Sequence, residues 1–168
     1  MSTTRNRHGS ATVTLPSDRE ILITRQFDAP AALVFKAWTT PELVKRWWGF
    51  DSSQWLVCEI DLRVGGGWRY VTREEGGFEV GFHGEFRVID APHRIVSTEV
   101  YEGFPEPDAG ALNTIVFDEQ AGVTTMTVNV LHTKKEHRDA HIESGMEGGM
   151  QISMNRLEDI VVDLSDAA

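Results

Sequence analysis

Alternating hydrophobic and polar positions dominate the first two thirds of the chain and predict β-strands. A first strand runs from about Glu20 to Phe27, where β-branched residues are frequent. Six more strands are predicted at about 54–62, 67–74, 78–89, 94–101, 112–118 and 123–132. Glycine- and proline-rich breaks separate these six segments, and such short connections favour an antiparallel meander.

A helical period replaces the alternation in two parts of the chain. Residues 31–38 and 41–47 each follow a proline-containing start signal and predict two short helices after the first strand. From Lys135 onward, apolar residues at spacings of three and four predict one long C-terminal helix. Its three glycines, Gly145, Gly148 and Gly149, indicate either close approach of another element or space left open beside the helix.

The order of these elements predicts an α+β fold, in which a curved seven-stranded antiparallel sheet surrounds the long C-terminal helix. One helix covers only one face of such a sheet, so we expect the sheet to curl around it. A strongly curved sheet with two short helices at its open end favours a hollow between sheet and helix.

Net charge and hydropathy exclude several classes of partner. The formal net charge is −10, and the 16 lysines and arginines do not cluster as phosphate binding requires, so nucleic acid is not an expected partner. No apolar run reaches the length of about 18 residues that spans a membrane, and no membrane partner is expected. Residues 1–16 are expected to be a disordered tail without a secretory signal, and residues 17–168 a single cytoplasmic domain.

Three motifs suggest chemistry but favour a structural interpretation. The run Gly65–Gly67 lacks the Gly-Lys-Ser/Thr ending of a phosphate-binding loop, so a turn between strands is predicted. His137 and His141 have the i, i+4 spacing of zinc ligands, but the sequence shows no obvious third ligand. Cys58 lies in an apolar run and is predicted to be a core residue. Neither a metal nor a cofactor is therefore predicted.

Several strings resemble one known family. They are FDAPAALVFKAW at 27–38, TPELVKRWWG at 40–49, DLRVGG at 61–66 followed by Trp68, His83-Gly84, and ESGMEGGM at 143–150 followed by Ser153. These strings resemble the helix-grip superfamily (SRPBCC, or START-like), and more narrowly its bacterial branch related to the C-terminal domain of the heat-shock-chaperone ATPase activator (Aha-type). The resemblance implies a helix-grip fold and binding of a small ligand. It also implies a role in stress or antibiotic resistance, since some relatives bind antibiotics.

The orientation of Glu99 is open on the sequence alone. The alternation of residues 95–101, taken alone, predicts that Val96, Thr98 and Val100 are buried. The resemblance implies instead that Ile95, Ser97, Glu99 and Tyr101 point inward. In the second orientation Glu99 is a carboxyl group in an apolar hollow, where burial raises the pKa. It could then serve as a ligand anchor or a general acid or base.

The residues predicted to line the hollow and bind a ligand share apolar or orienting character. They are Trp68, Tyr70, Phe82, Phe86, Glu99, Met126, Val128, Met146, Met150 and Ser153. Pockets of this kind are mostly apolar, with a few polar groups that fix orientation. Tyr70, Glu99 and Ser153 would supply the hydrogen bonds.

Three functions are compatible with this sequence. The first is the binding of a small hydrophobic or aromatic molecule in an internal cavity. The second is interaction with a chaperone through an exposed patch around Trp47 and Trp48 and the acidic C-terminal half. The third is a cyclase- or hydrolase-type reaction that uses Glu99 or His83; no complete catalytic motif supports it, so an enzyme is not the leading prediction.

Overall fold

Eight strands form one antiparallel sheet in the computed structural model, which describes residues 7–50, 52–103 and 110–167. The strands are β1 (Thr12–Thr14), β2 (Glu20–Phe27), β3 (Gln54–Ile60), β4 (Gly67–Arg73), β5 (Glu79–Asp90), β6 (Arg94–Tyr101), β7 (Ala111–Gln120) and β8 (Val123–Leu131). The helices are α1 (Ala31–Thr39), α2 (Pro41–Trp47), α3 (Lys135–Glu143) and α4 (Met146–Ala167).

The strand order across the sheet is β1-β2-β8-β7-β6-β5-β4-β3. Strands β3 to β8 form the predicted meander, and β2 pairs with β8 along its whole length, from Glu20 opposite Leu131 to Phe27 opposite Thr124. The α+β class, the two short helices after the first long strand and the C-terminal helix are thereby confirmed. The sheet is not closed, since β1 and β3 lie at its two edges.

The N-terminal segment corrects two predictions. Residues 12–14 form β1, which pairs with residues 22–24 of β2, so the sheet has eight strands rather than seven. Arg7 donates hydrogen bonds to both carboxylate oxygens of Asp28, and its backbone N–H donates to Glu158 in α4. The disordered tail expected over residues 1–16 is therefore wrong from Arg7 onward, because partners distant in sequence hold this segment. Residues 1–6 lie outside the described residues.

The predicted long C-terminal helix is two helices. Gly145, between α3 and α4, has a φ of +81°, a left-handed conformation that favours glycine. The backbone N–H of Ser144 donates to the carbonyl oxygen of Ala140, and its hydroxyl donates to that of His141, which closes α3. The hydrophobic period continues across this break, so periodicity alone did not reveal it.

The core between the sheet and the C-terminal half of α4 is tightly filled. Its largest fully buried apolar side chains are Ile21, Phe27, Val34, Val44, Trp47, Phe117, Met126, Leu157 and Val161. Within this core the guanidinium of Arg25, on β2, donates from Nη1 to Glu158 Oε1 at 3.0 Å. This buried ion pair joins β2 to α4.

Candidate functional site

A cavity of about 380 Å³ lies between the sheet and the N-terminal half of α4. Its aromatic lining comes from Trp38, Trp47, Trp48, Phe50, Trp68, Tyr70, Phe82 and Phe86. Its polar lining comes from Thr39, Thr72, Glu74, Ser97, Glu99, Asn113, His141 and Ser153. Aliphatic and methionine side chains of β2, β5–β8 and α4 complete the wall, namely Ile23, Val80, Ile95, Ile115, Val128, Val130, Met146, Met150 and Met154.

The close approach of β5 to β6 at Gly84 shapes the sheet around this cavity. A Cβ atom on Gly84 would overlap the carbonyl oxygen of Thr98, so only glycine fits. The indole N–H of Trp68 reaches the same oxygen at 3.2 Å. The register between β5 and β6 shifts between Phe86 and Val88, and such irregularities bend a strand. The glycine of the His83-Gly84 string therefore allows the close approach of β5 to β6 that shapes the sheet around the cavity.

The aromatic side chains form a continuous wall. The ring of Trp48, just after α2, lies 5.3 Å from Tyr70, 5.5 Å from Phe82 and 5.5 Å from Trp55, measured between centroids. Tyr70 in turn lies 4.8 Å from Trp68. Such tilted and edge-on contacts stabilise aromatic clusters beyond simple burial. The wall is thus built from three adjacent strands, β3, β4 and β5, and the end of the short helix.

Trp47 and Trp48 correct the predicted chaperone patch. Trp47 is 2% exposed and donates from its indole nitrogen to the carbonyl oxygen of Ala37 at 3.0 Å. Trp48 is half-buried and lines the cavity. Both rings pack inward because α2 presents its apolar face to the sheet and to α4. The pair is therefore not an exposed patch for a partner.

The loop after α2 marks the opening of the cavity. Phe50 lines the cavity and is 58% exposed, so this side faces solvent. The hydroxyl of Ser53 accepts from the N–H of Phe50 and donates to the carboxylate of Glu74 at 2.7 Å. Arg156, on α4, donates to the carbonyl oxygen of Gly49 at 2.7 Å. These bonds hold Phe50 between α4 and the end of β4.

The glycines of α4 leave space beside the helix. Among the described residues, a Cβ on Gly148 would meet no atom within 4 Å, and one on Gly149 would meet Phe50 at 3.9 Å. Open space therefore applies to Gly148, which is exposed, whereas Gly149 lies beside Phe50 and borders the cavity. Met146, Met150 and Ser153, on the same half of the helix, line the cavity.

Glu99 points into the cavity. The second orientation predicted for β6 is correct for Ile95, Ser97 and Glu99, which all line it. The first orientation fails because Val96 is also buried, on the opposite face, so parity did not distinguish the two sides. Tyr101 is 42% exposed at the end of the strand and is not among the described residues that line the cavity.

The surroundings of Glu99 favour its neutral form. Burial raises the pKa of the Glu99 carboxyl, and a hydrogen bond from Asn113 Nδ2 at 3.2 Å opposes this shift. Asn113 lies on the neighbouring strand β7 and is 8% exposed. Its Oδ1 is buried without a hydrogen-bond partner among the described residues. Burial is also the main cause of the raised pKa of Tyr70 across the cavity, with smaller contributions from Cys58 and Glu99.

The histidines occupy different environments. His141 lines the cavity and its Nδ1 lies 3.0 Å from His132 Nε2, whereas His137 bonds to Thr133. The two histidines with the i, i+4 spacing, His137 and His141, therefore bond to different residues. Burial lowers the pKa of His132 to about 4, helped by the charges of His141, His137 and Arg138. Burial also lowers the pKa of His141.

His83 lies on the opposite face of the sheet from Glu99. It is exposed and bonds through Nδ1 to Glu102 at 2.8 Å, while Arg69 binds the same carboxylate in a bidentate manner. Arg69 and His83 lower the pKa of Glu102 to about 2. His83 and Glu99 therefore do not form one catalytic site.

Nine of the ten predicted ligand-binding residues line the cavity. They are Trp68, Tyr70, Phe82, Phe86, Glu99, Val128, Met146, Met150 and Ser153. Met126 does not, because it is fully buried in the filled core opposite Phe117. Sequence reasoning missed Trp38, Asn113 and His141, since their strand and helix faces were not assigned to the hollow. Trp47 and Trp48 were predicted to form an exposed patch, but both line the cavity.

Outside the cavity, one group of three potential metal ligands lies among the described residues. His8 Nε2 is 3.2 Å from Glu158 and 2.9 Å from Asp159. Glu158 also binds Arg25, and the contacts of His8 tie the N-terminal segment to α4. Within the described chain, no helix is both long and apolar enough to cross a bilayer.

Comparison with known proteins gives a family and several related folds. The sequence model of the family described as Activator of Hsp90 ATPase homolog 1-like protein matches residues 28–162. None of the curated proteins compared with this chain matches it.

Solved structures of similar proteins share the fold. A Rhodobacter sphaeroides protein has 23% identity and a TM-score of 0.84, covering 91% of this chain and 98% of its own. A Mycobacterium smegmatis protein has 23% identity and a TM-score of 0.79, covering 90% and 96%. An HSP90 activator from Plasmodium falciparum has 23% identity and a TM-score of 0.64, covering 84% and 95%. At these identities the likeness establishes the fold alone.

Proposed function

The chain belongs to the family of Activator of Hsp90 ATPase homolog 1-like proteins, and from its cavity we propose that it binds a small hydrophobic or aromatic molecule between the sheet and α4. The observation that carries this proposal is the volume of about 380 Å³ beside an aromatic wall. That volume falls in the range of about 300–1,000 Å³ typical of small-molecule pockets. The cytoplasmic location and the single domain over residues 17–168 remain predictions.

The lining supplies both affinity and orientation for such a ligand. Each Å² of apolar surface removed from water contributes about 25 cal/mol, and eight aromatic side chains offer this surface. Tyr70, Glu99 and Ser153 project polar atoms from three different elements, β4, β6 and α4. A planar ligand would lie against the rings and direct its polar group towards these atoms.

Fluorescence titration with N-phenyl-1-naphthylamine, a neutral aromatic probe, tests the proposal. We expect saturable binding at one site, a blue-shifted probe emission and an increase in Tm with probe concentration. Ser153→Phe fills the cavity and should weaken binding at least about ten-fold, which corresponds to about 1.4 kcal/mol. Ile152→Phe, at the next and exposed position of α4, is the matched control and should bind as the wild type does. Absence of saturable binding, or equal affinity in the two variants, would reject the proposal.

Interaction with a chaperone is the second candidate function. It is supported by the family description and by the fold shared with the P. falciparum HSP90 activator. Its test is the ATPase rate of the Hsp90-type chaperone from the same cell, measured with and without this protein. A rate increase that Ser153→Phe leaves unchanged would support a partner surface separate from the cavity. An unchanged rate would reject this candidate.

A further inference from the structure

The polar groups of the cavity are rich in hydrogen-bond acceptors and poor in positive charge. Two carboxylates, Glu74 and Glu99, line it, and no lysine or arginine does so among the described residues. Glu74 already accepts bonds from the hydroxyls of Ser53 and Thr72. Glu99 forms no salt bridge within the described part of the chain. The cavity therefore offers an acidic group without a compensating cation.

Glu99 and Asn113 together form an acceptor pair inside the cavity wall. Asn113 Nδ2 is used for Glu99, which leaves Asn113 Oδ1 buried and unpartnered in the described structure. A buried acceptor without a donor is unfavourable, because it has lost its hydrogen bonds to water. A ligand group that carries several N–H donors would satisfy both side chains at once. An ammonium group has this donor set and also a positive charge.

The aromatic wall favours the same kind of ligand. Trp68, Tyr70 and Phe82 line the cavity together with Glu99, and the faces of such rings attract cations within about 6 Å. An apolar carboxylate ligand, in contrast, would place its negative charge beside Glu99, where burial already disfavours a negative charge. The net charge of −10 also attracts cations towards the protein at long range.

We propose that the cavity selects a lipophilic amine, a molecule with an aromatic or aliphatic body and one basic nitrogen, with Glu99 as its counter-ion and Asn113 as a second acceptor. This inference rests on the proposed ligand-binding function and specifies its ligand class. The body of the amine contacts the aromatic wall, and its nitrogen lies at β6 and β7. The basic nitrogen stabilises the charged form of Glu99, which has no cationic partner in the described chain.

Binding of an amine is thereby coupled to protonation. The titratable groups that line the cavity with Glu99 are Tyr70 on β4, Glu74 just after β4 and His141 on α3, and Cys58 on β3 lies opposite Tyr70. Tyr70 and Cys58 have raised pKa values and His141 a lowered one, so these three are neutral near pH 7.5. Because burial raises the pKa of Glu99, a Glu99 carboxyl that still holds its proton releases it to solvent when an amine binds as a cation.

Isothermal titration at pH 7.5 with three matched probes tests the proposal. The probes are 2-naphthylmethylamine, 2-naphthalenemethanol and 2-naphthoic acid, which share one ring system and differ in charge. We expect the amine to bind at least ten-fold more tightly than the alcohol, and the acid to bind more weakly than both. In Glu99→Gln the amine should lose its advantage while the alcohol keeps its affinity, which also shows that the variant is folded.

The control is Glu102→Gln, which removes a carboxylate on the opposite face of the sheet and should leave the amine preference intact. Because burial raises the pKa of Glu99, the amine preference of the wild type should be accompanied by more proton release than in Glu99→Gln, as titrations in two buffers of different ionisation enthalpy measure. Equal affinity for amine and alcohol in the wild type would overturn the amine proposal and leave the proposed function standing. An amine preference that survives in Glu99→Gln would also overturn it. Binding of none of the three probes would reject both.

Discussion

The two halves of α4 face the same sheet, yet one half closes the space beneath it and the other leaves it open. In the C-terminal half, Leu157, Ile160 and Val161 are buried against the sheet and the short helices. In the N-terminal half, Gly149 and Ser153 border the cavity. Branched aliphatic side chains fill the space, whereas glycine and serine do not. Side-chain volume along one helix thus decides where the fold is a core and where it is a cavity.

The two halves also differ in how they surround an inward-facing carboxyl group. Glu158, in the filled half, is paired with Arg25 at 3.0 Å. Glu99, in the open half, has only the amide of Asn113 within the described residues. Removing either member of a buried ion pair leaves the other charge uncompensated. Glu99 has no cationic partner to lose within the described chain and can receive one from a ligand.

The largest expected effect comes from removing the ion pair of the filled half. Glu158→Gln leaves the Arg25 guanidinium buried without a counter-ion, and we expect a loss of about 3–5 kcal/mol in the free energy of unfolding. Urea denaturation measures it. Asp159→Asn, at the next and exposed position, should lose less than about 1 kcal/mol. Equal losses in both variants would remove the distinction between core and surface charge.

Truncation of one residue in each half compares their packing directly. Leu157→Ala removes a fully buried side chain and should cost about 3 kcal/mol, because it creates a new void. Met150→Ala enlarges a cavity that already exists and should cost less than about 1 kcal/mol. Both values come from chemical denaturation. A loss of about 3 kcal/mol at Met150 would show that the cavity half is packed as tightly as the core.

Neutralising Glu99 should have the opposite sign to neutralising Glu158. Because the folded pKa of Glu99 is raised, the folded state holds the proton more tightly than the unfolded state, whose pKa is about 4.3. Stability is therefore lost as the pH rises above that value through the folded pKa. Glu99→Gln should be more stable than the wild type at pH 7.5 by about 1 kcal/mol, which is the scale of one unsatisfied buried group.

The pH dependence of that difference provides the check. The gain of Glu99→Gln should shrink as the pH falls towards 4, where Glu99 is protonated in both states. His132 and His141 have lowered pKa values and destabilise the fold as the pH falls below about 6.5, but they do so in both proteins. Thermal denaturation from pH 4 to 8 measures the difference. If the stability gain of Glu99→Gln over the wild type grew at low pH, it would contradict a raised pKa for Glu99.

The smallest effect concerns the open side of the helix. Gly148→Ala places a methyl group in open space and improves helix propensity, so we expect a gain of about 0.5 kcal/mol. The free energy of unfolding measures it, with probe affinity unchanged because Gly148 does not line the cavity. A loss of stability would mean that another element approaches this side of α4.

Patterns along the chain predicted the elements better than the faces. Strand β2 has the predicted bounds, since alternation and a turn at Asp28 define it locally. The break at Gly145 escaped notice because the hydrophobic period runs through it. For β6, parity failed because Ile95 and Val96 are both buried, one on each face of the sheet. The resemblance, rather than the pattern, placed Glu99 inward.

The same limit explains the misplaced residues of the site. Trp47 ends the short helix α2 and Trp48 follows it, and the sequence does not show that both rings turn inward. Met126 alternates in phase with Val128, but the filled core at Phe117 covers it. Whether an inward-facing residue meets the cavity or the core depends on which half of α4 lies opposite it. The sequence pattern does not give that position, because the three-dimensional packing sets it.

Methionine methyl NMR tests the contrast between the two halves most directly. Met146 and Met150 line the cavity, while Met126 lies in the filled core. With N-phenyl-1-naphthylamine added in steps, we predict that the methyl signals of Met146 and Met150 shift in a saturable manner and that Met126 stays in place. Equal shifts at Met126, or no shift at Met146 and Met150 while the probe binds, would contradict a ligand site in the open half.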